Sequence, residues 1–486
     1  MPRAPEASWT MPESTPSRLL RDLLPCMALL VSIKVAWLLL DPTVRLFLGD
    51  SGSYLHTALS GWIPPDRSFL YGWLIEATAV RFHSAYALLL TQSLFGIVGG
   101  MLLYLWLVAG LKLSRVPALL AAALFASDPA QLFYERMMMA EAVGLLAFLL
   151  FFVALSGYVA TRRALLIPVY AVLGVTAVAF RINLLAVVLT LSVLAPLITA
   201  FGKWRDGASR VRAIGIGFAH LVLSLACTSY AHGYYKQWYA ELTATDPGDL
   251  YTDHPGYTAQ SGVFRLALVA PLIEPAHFRN TGVSPDVLRE VTLDYRDPRL
   301  REAQIWTEGG LYDVLQRHSD DPDRVARKIS IRAAREHPIG LLQLGLLTVL
   351  DYFDPAVAAP RLQDDLGRRA PSAELVADLR EHLRYDVAGV HTRDTPALRW
   401  FEWGSKWLVA CLFGLAPLAL LVFWRGRHAP RFELRLLLAL TSLGLVAGHV
   451  LFSHIVSFRY LHPLPWFVLA NLAVLLQDRF DRRGSA

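Results

Sequence analysis

Apolar residues in this chain come in long unbroken runs, with the polar residues gathered between them. Ten runs approach or exceed the length that crosses a bilayer as a helix, about 20 mainly apolar residues. They are Leu23 to Leu40, Ser84 to Leu111, Leu113 to Ser127, Ala140 to Ala160, Ala164 to Phe180, Leu184 to Phe201, Ala213 to Tyr230, Trp407 to Trp424, Leu436 to Phe458 and Leu464 to Leu476. The third and the last are short. The pattern predicts an all-α polytopic membrane protein with about ten transmembrane helices, the count ranging from about nine to about thirteen with the treatment of short runs.

One long hydrophilic region, Ala231 to Arg399, carries 20 Lys+Arg against 25 Asp+Glu and reads as a domain instead of a linker. Asp246-Pro247, His254-Pro255, Asp297-Pro298 and Asp321-Pro322 mark turns between helices such as Asp323 to Glu336. No alternating strand pattern appears, so this region is expected to be mostly helical. Two apolar stretches in it, Val263 to Ile273 and Ile339 to Phe353, are shorter than a comfortable span. They are read as interfacial or packed on the bundle, with the second kept open as a span. The chain thus divides into a tail (1–22), an N-terminal transmembrane module (23–230) with a first outer loop (41–83), the hydrophilic domain (231–399) and a C-terminal transmembrane module (400–486).

Composition agrees: 55% of residues are hydrophobic, 18% are charged, and the mean hydropathy is +0.40. The net charge of +6 does not point to nucleic acid, because the arginines cluster at the ends of apolar runs and form no basic stripe. With the N-terminus inside, the cytoplasmic segments hold 18 Lys+Arg and the short outer segments only six, which satisfies the positive-inside rule and puts both termini in the cytoplasm. The first sixteen residues contain four prolines and read as a disordered tail; the run after them lacks a small-residue cleavage site and is taken as a retained helix. Cys26, Cys227 and Cys411 lie in apolar runs and read as small buried side chains.

Several charged residues fall at the outer ends of these helices. Asp50, in Gly49-Asp50-Ser51, follows the first helix and is open to two readings: a solvated or N-capping aspartate, or a general base or metal ligand at the membrane surface. Asp128 and Glu141 border the third and fourth helices. Glu141 opens a long helix whose positive dipole end already favours a carboxylate, and Glu135 and Arg136 read as solvated. Arg181 and Arg459 flank helices on the same side, where either can snorkel. Convergence favours chemistry: carboxylates that can take a proton from a hydroxyl and guanidinium groups that can grip a phosphate come from five segments to one side. His449 and His454 lie five apart, off the i, i+4 spacing of a two-histidine helical site, so zinc is not expected.

At these residues the chain resembles the glycosyltransferase C superfamily, the multi-spanning enzymes that use polyprenyl-phosphate sugars, including the protein mannosyltransferase and aminoarabinose transferase branches. Gly49-Asp50 with Tyr54 and Ala58 is similar to the family's first-loop acidic motif. Arg67-Ser68-Phe69-Leu70-Tyr71-Gly72 is similar to the segment after it, here without its usual prolines. Met139-Ala140-Glu141 resembles the second acidic motif, Gly174 to Arg181 the fifth helix, His337-Pro338 a juxtamembrane element, and Arg459-Tyr460 with Pro463 and Pro465 the late arginine-tyrosine-proline motif. The resemblance covers most of the chain apart from Tyr239 to Val325. The first loop has one acidic residue where many members have two adjacent, which weakens a metal-ligand role more than a base role.

The resemblance implies inverting transfer of a sugar from a polyprenyl phosphate, held with the membrane lipid, to a hydroxyl of a glycan, glycolipid or protein acceptor on the extracytoplasmic face of the plasma membrane. Asp50 is then the base, Arg459 and secondarily Arg181 hold the leaving phosphate, and Glu141 orients a substrate or supports an arginine. Tyr54, Tyr460, Tyr71, Asp128 and His462 complete the expected binding set, with no cofactor and no favoured metal. A lipid-diphosphate-dependent polymerase or ligase, and a lipid or glycan transporter, are the competing classes. The transporter reading has only Lys34 and scattered Asn, Gln and His within helices to draw on.

Overall fold

The computed structural model describes residues 16–244 and 257–484. The turns at Asp246-Pro247 and His254-Pro255 and residues 1–15 of the expected tail lie outside the described residues. The described residues are 76% helical, and no strand forms among them. A single isolated bridge joins Arg45 to Met137.

The helices run in order α1 (Pro16–Leu40), α2 (Ser51–Ser60), α3 (Leu70–Ile75), α4 (Ala85–Leu105), α5 (Arg115–Ala126), α6 (Pro129–Tyr134), α7 (Glu141–Thr161), α8 (Leu166–Phe180), α9 (Leu185–Arg205) and α10 (Arg210–Ala244). The hydrophilic region contributes α11 (Ser261–Val269), α12 (Ala303–Trp306), α13 (Leu311–His318), α14 (Pro322–Glu336), α15 (Pro338–Asp351), α16 (Pro355–Asp365) and α17 (Ala373–Leu383). The C-terminal part adds α18 (Pro396–Gly426), α19 (Phe432–Phe452) and α20 (Leu464–Gly484).

Among the described residues eight helices are long and apolar enough to cross a membrane, and they match eight of the ten expected spans. The other two, the third and fifth, form the shorter apolar helices α5 and α8. The protein is therefore an all-α polytopic membrane protein. Large apolar side chains such as Leu39, Leu165, Val211 and Phe218 are exposed on the helix surfaces, as expected of faces that meet lipid.

α8 stops at Phe180 because Arg181 leaves the helical conformation, with φ −141° and ψ 92°. α10 continues without a break to Ala244, so the boundary expected at Ala231 falls inside one 35-residue helix. The hydrophilic region has its own apolar core, in which Val263, Leu266, Ile305, Leu311, Leu315 and Ile329 meet. α13 and α14 present their apolar stripes to it, and Asp323 accepts the backbone N–H groups of Gly262 and Val263 at 2.7 and 3.0 Å, closing the start of α11. α15 and α16 meet at a 79° bend, and neither spans a bilayer by itself.

Candidate active site

A cavity of about 1210 Å³ opens where the first loop, the start of α7, the α8–α9 junction, the end of α19 and the segment after it converge with α11, α12 and α16. Asp50 lies at its polar end, at the N-terminal boundary of α2. Its side chain makes no capping bond to α2. Ser51 does the local work instead, accepting from Phe47 N–H at 2.9 Å and donating to the Met138 carbonyl at 2.8 Å. The Asp50 carboxylate is thereby free for distant partners. One oxygen accepts from Arg67 Nη1 at 2.7 Å, the other from Arg459 Nη1 at 2.8 Å.

Both arginines are themselves constrained. Arg67 also binds the neighbouring Asp66, with Nε to Oδ1 at 3.0 Å. The Arg459 guanidinium lies 4.6 Å from the centre of the Phe47 ring and 5.1 Å from that of Tyr460, close enough for cation–π attraction, and its Nε–H has no hydrogen-bond partner. Arg181 reaches Glu141 in a short ion pair and approaches the same Tyr460 ring at 5.9 Å. Gly144 permits this path, since a Cβ there would sit 2.4 Å from Arg181 Cγ. Tyr54 completes this end; its ring packs edge-on against Tyr71 at 4.8 Å.

Burial works to raise the Asp50 carboxyl, but Arg459 and then Arg67 outweigh it and hold the group below its ordinary value. Asp50 is therefore ionised at neutral pH. His454, in the irregular segment after α19, also lines the cavity, and burial together with the positive field of Arg301, Arg459 and Arg361 pushes its imidazole down to about 3. It adds no charge, so the cationic character of the cavity comes from arginine alone among the groups described.

Asp50, Tyr54, Glu141, Arg181, Arg459 and Tyr460 all line this cavity; Asp128, Tyr71 and His462 do not. Asp128 caps α6, accepting from Ala130 and Gln131 N–H at 3.0 Å each, and accepts from Trp407 Nε1 at 3.0 Å. Tyr71 lies behind Tyr54 and donates to Gln92 Oε1 at 2.8 Å. His462 Nε2 pairs with Gln131 Oε1 at 2.9 Å.

Glu135 and Arg136 are not solvated, contrary to the expectation from their place between two apolar runs. Glu135 is fully buried and accepts from Lys34 Nζ at 2.6 Å and Gln131 Nε2 at 2.8 Å. Arg136 donates to the carbonyls of Leu132, Trp37 and Asp41 at 2.7 to 2.9 Å. The physical reason is that the turn after α6 is enclosed by α1, α4 and the start of the first loop, so its charges must find partners within the protein.

Arg67 was visible in the sequence only as the start of a motif; its role as the second partner of Asp50 was not. The signal available was its place beside Asp66 within the same loop. Asp365 on α16 also lines the cavity, and nothing near it in the sequence distinguishes it from its neighbours. One group of three metal-type ligands occurs among the described residues, His277, Glu336 and His337, outside the cavity lining. His277 Nδ1 accepts the Glu274 N–H at 2.9 Å, which leaves the proton on Nε2 to donate to Glu336 at 3.1 Å. That tautomer satisfies His277, whereas His337 Nε2 has no hydrogen-bond partner and lies 3.4 Å from Glu274 Oε1.

No family model matches the chain, and no curated protein matches it in sequence.

Proposed function

We propose that this protein is an inverting membrane glycosyltransferase that moves a sugar from a polyprenyl-phosphate donor to a hydroxyl acceptor on the extracytoplasmic face. The observation that carries the reading is the Asp50 carboxylate held between the guanidinium groups of Arg67 and Arg459 at the polar end of a cavity. The adjoining wall is apolar, formed by residues such as Val178, Leu184, Val187, Leu445 and Phe452, as a prenyl chain requires. A carboxylate beside two fixed cations suits a reaction in which a hydroxyl loses a proton while negative charge builds on a nearby phosphate.

In this scheme the acceptor oxygen bonds to the anomeric carbon as the bond from that carbon to the phosphate oxygen breaks. The acceptor proton passes to Asp50, and the electron pair of the broken bond stays on the phosphate, whose charge rises from one toward two. Each Asp50 oxygen keeps a second lone pair beyond its arginine bond, so the base function does not require the ion pairs to open. Arg459, with its unpartnered Nε–H, gains most as that charge develops. Glu141 holds Arg181 beside the Tyr460 ring as a second cation.

A lipid diphosphate donor is the second reading, because α11, α16 and the segment after α16 bring Arg265, Arg361 and Arg369 to the same cavity. Arg361 pairs with Glu302 and Arg369 with Asp364, as Arg67 and Arg459 pair with Asp50, so the choice of donor separates the two readings. The test is to incubate purified protein in nanodiscs with a panel of polyprenyl-phosphate and diphosphate sugars and to follow lipid phosphate release. Release from a monophosphate donor that disappears in Asp50→Asn supports the reading; release only from diphosphates, or from none with no donor bound, rejects it.

A further inference from the structure

Arg459 sits on one short turn, Phe458–Leu461, preceded by backbone of no regular structure from Ser453 to Ser457. Backbone groups in such a segment lack ladder or helix partners and must find them elsewhere when buried. Here two side chains of the bent pair α15–α16 supply them. The Tyr352 hydroxyl at the bend donates to the Ser457 carbonyl at 2.8 Å and accepts from the Ser457 N–H at 3.1 Å. At the far end of α16, Asp365 accepts from the Phe458 N–H at 2.6 Å and from the Ser457 hydroxyl at 3.1 Å. Tyr352 at the bend and Asp365 at the end of α16 thus grip one dipeptide. Gly345 seats the pair: a Cβ there would lie 1.8 Å from the Val450 carbonyl oxygen, so α15 meets the end of α19 at backbone contact.

The head of Arg459 is held by Asp50 and by the faces of Phe47 and Tyr460. Nη1 bonds Asp50, Nη2 reaches the Tyr460 hydroxyl only at 3.3 Å, and Nε has no partner. The guanidinium therefore depends on the backbone at 457–458, which presents it to these partners, as well as on the partners themselves. We propose that Asp365, with Tyr352, is a positioning residue that sets Arg459 against the phosphate. Its turnover consequence rests on the transferase reading; its structural consequence does not.

The test combines one readout of each kind. In Asp365→Ala, turnover of the polyprenyl-phosphate donor falls ~100-fold with donor KM little changed, the scale of a misplacement of about 1 Å. Asp365→Asn, which can still accept the Phe458 N–H and donate to the Ser457 oxygen, recovers all but ~5-fold of that loss. Adding Asp365→Ala to Arg459→Lys costs less than ~3-fold more, because both act on one group. Equal losses in Asn and Ala variants, or additive losses in the double variant, overturn the proposal. Independently of activity, phenylglyoxal labelling followed by mass spectrometry reads the placement of Arg459. The Ala variant is expected to label at Arg459 at least ~5-fold faster than wild type while Arg181 in the same cavity is unchanged, since only the former loses its backbone anchor. Unchanged labelling of Arg459, or equal acceleration at both arginines, overturns the positioning role. The expected labelling in a protein that turns over no donor sustains the role and rejects the transferase reading alone.

Discussion

Two groups of polar and ionisable side chains, drawn from neighbouring stretches of chain, have different surroundings in this protein. Asp50, Arg67, Arg459, Glu141 and Arg181 border the cavity, and their side chains are 3 to 21% exposed. Lys34, Glu135, Gln131 and His462 form a second set that is at most 2% exposed and borders no such space. Each set leaves one polar atom without a partner, Nε of Arg459 in the first and Oε2 of Glu135 in the second. Pairing, burial and an orphaned atom therefore do not separate a reactive site from a structural one. The difference is the adjoining volume: only the first set borders space that a ligand can enter. The first set should govern turnover and the second stability.

The largest expected effect tests the second set. Lys34→Met leaves Glu135 without its cation in the bundle, which should cost about 3–5 kcal/mol, read as a lowered thermal unfolding midpoint in nanodiscs; adding Glu135→Leu should recover most of it. A midpoint that does not move would erase the contrast. Next, Asp50→Asn should lower turnover by ~100-fold or more, the scale of a lost general base, with unfolding close to wild type. Loss of stability comparable to that of Lys34→Met would place Asp50 with the structural set. Arg459→Lys keeps the charge but loses the planar fork, and turnover should fall ~10-fold; an unchanged rate would argue against contact through the guanidinium edge.

Asp128→Ala removes the cap of α6 and the partner of Trp407, at an expected cost of about 1–2 kcal/mol in chemical denaturation. Turnover at a temperature well below unfolding should stay the same, because Asp128 does not line the cavity. The smallest effect concerns pH. A depressed carboxyl is fully ionised above its ordinary value of about 4 and loses its pairs only as pH falls through the lower folded value. A pH–rate profile should therefore show no acid limb from Asp50 between about pH 5 and 8; one present in wild type and absent in Asp50→Asn would show that the arginines do not control this group.

Much of this was legible in the chain because hydropathy is a local property. A helix in lipid satisfies its own backbone bonds, so run length alone predicts a span, and eight of the ten runs become helices long enough to cross. The two that fall short, α5 and α8, have only 12 and 15 residues. Six of the nine expected site residues also meet at one cavity. Asp128, Tyr71 and His462 do not, because a position at the end of a span says which side a residue is near but not which way it faces. Glu135 shows the same limit in reverse: a charge between two apolar runs reads as solvated, yet the turn after α6 is enclosed and pairs it with Lys34, 101 residues away.

By itself, then, the sequence determined the helical membrane class, the lengths of most spans and the recurrence of carboxylates and arginines at span ends, since each depends on residues adjacent in the chain. Tertiary structure alone decided that Arg67 and Arg459 share Asp50, that Gly144 opens the way from Arg181 to Glu141, and that a bent helix pair holds the backbone before Arg459. Asp50 and Arg459 are 409 residues apart. Their contact depends on how whole helices pack, and close packing is a property of complementary surfaces that no local pattern encodes.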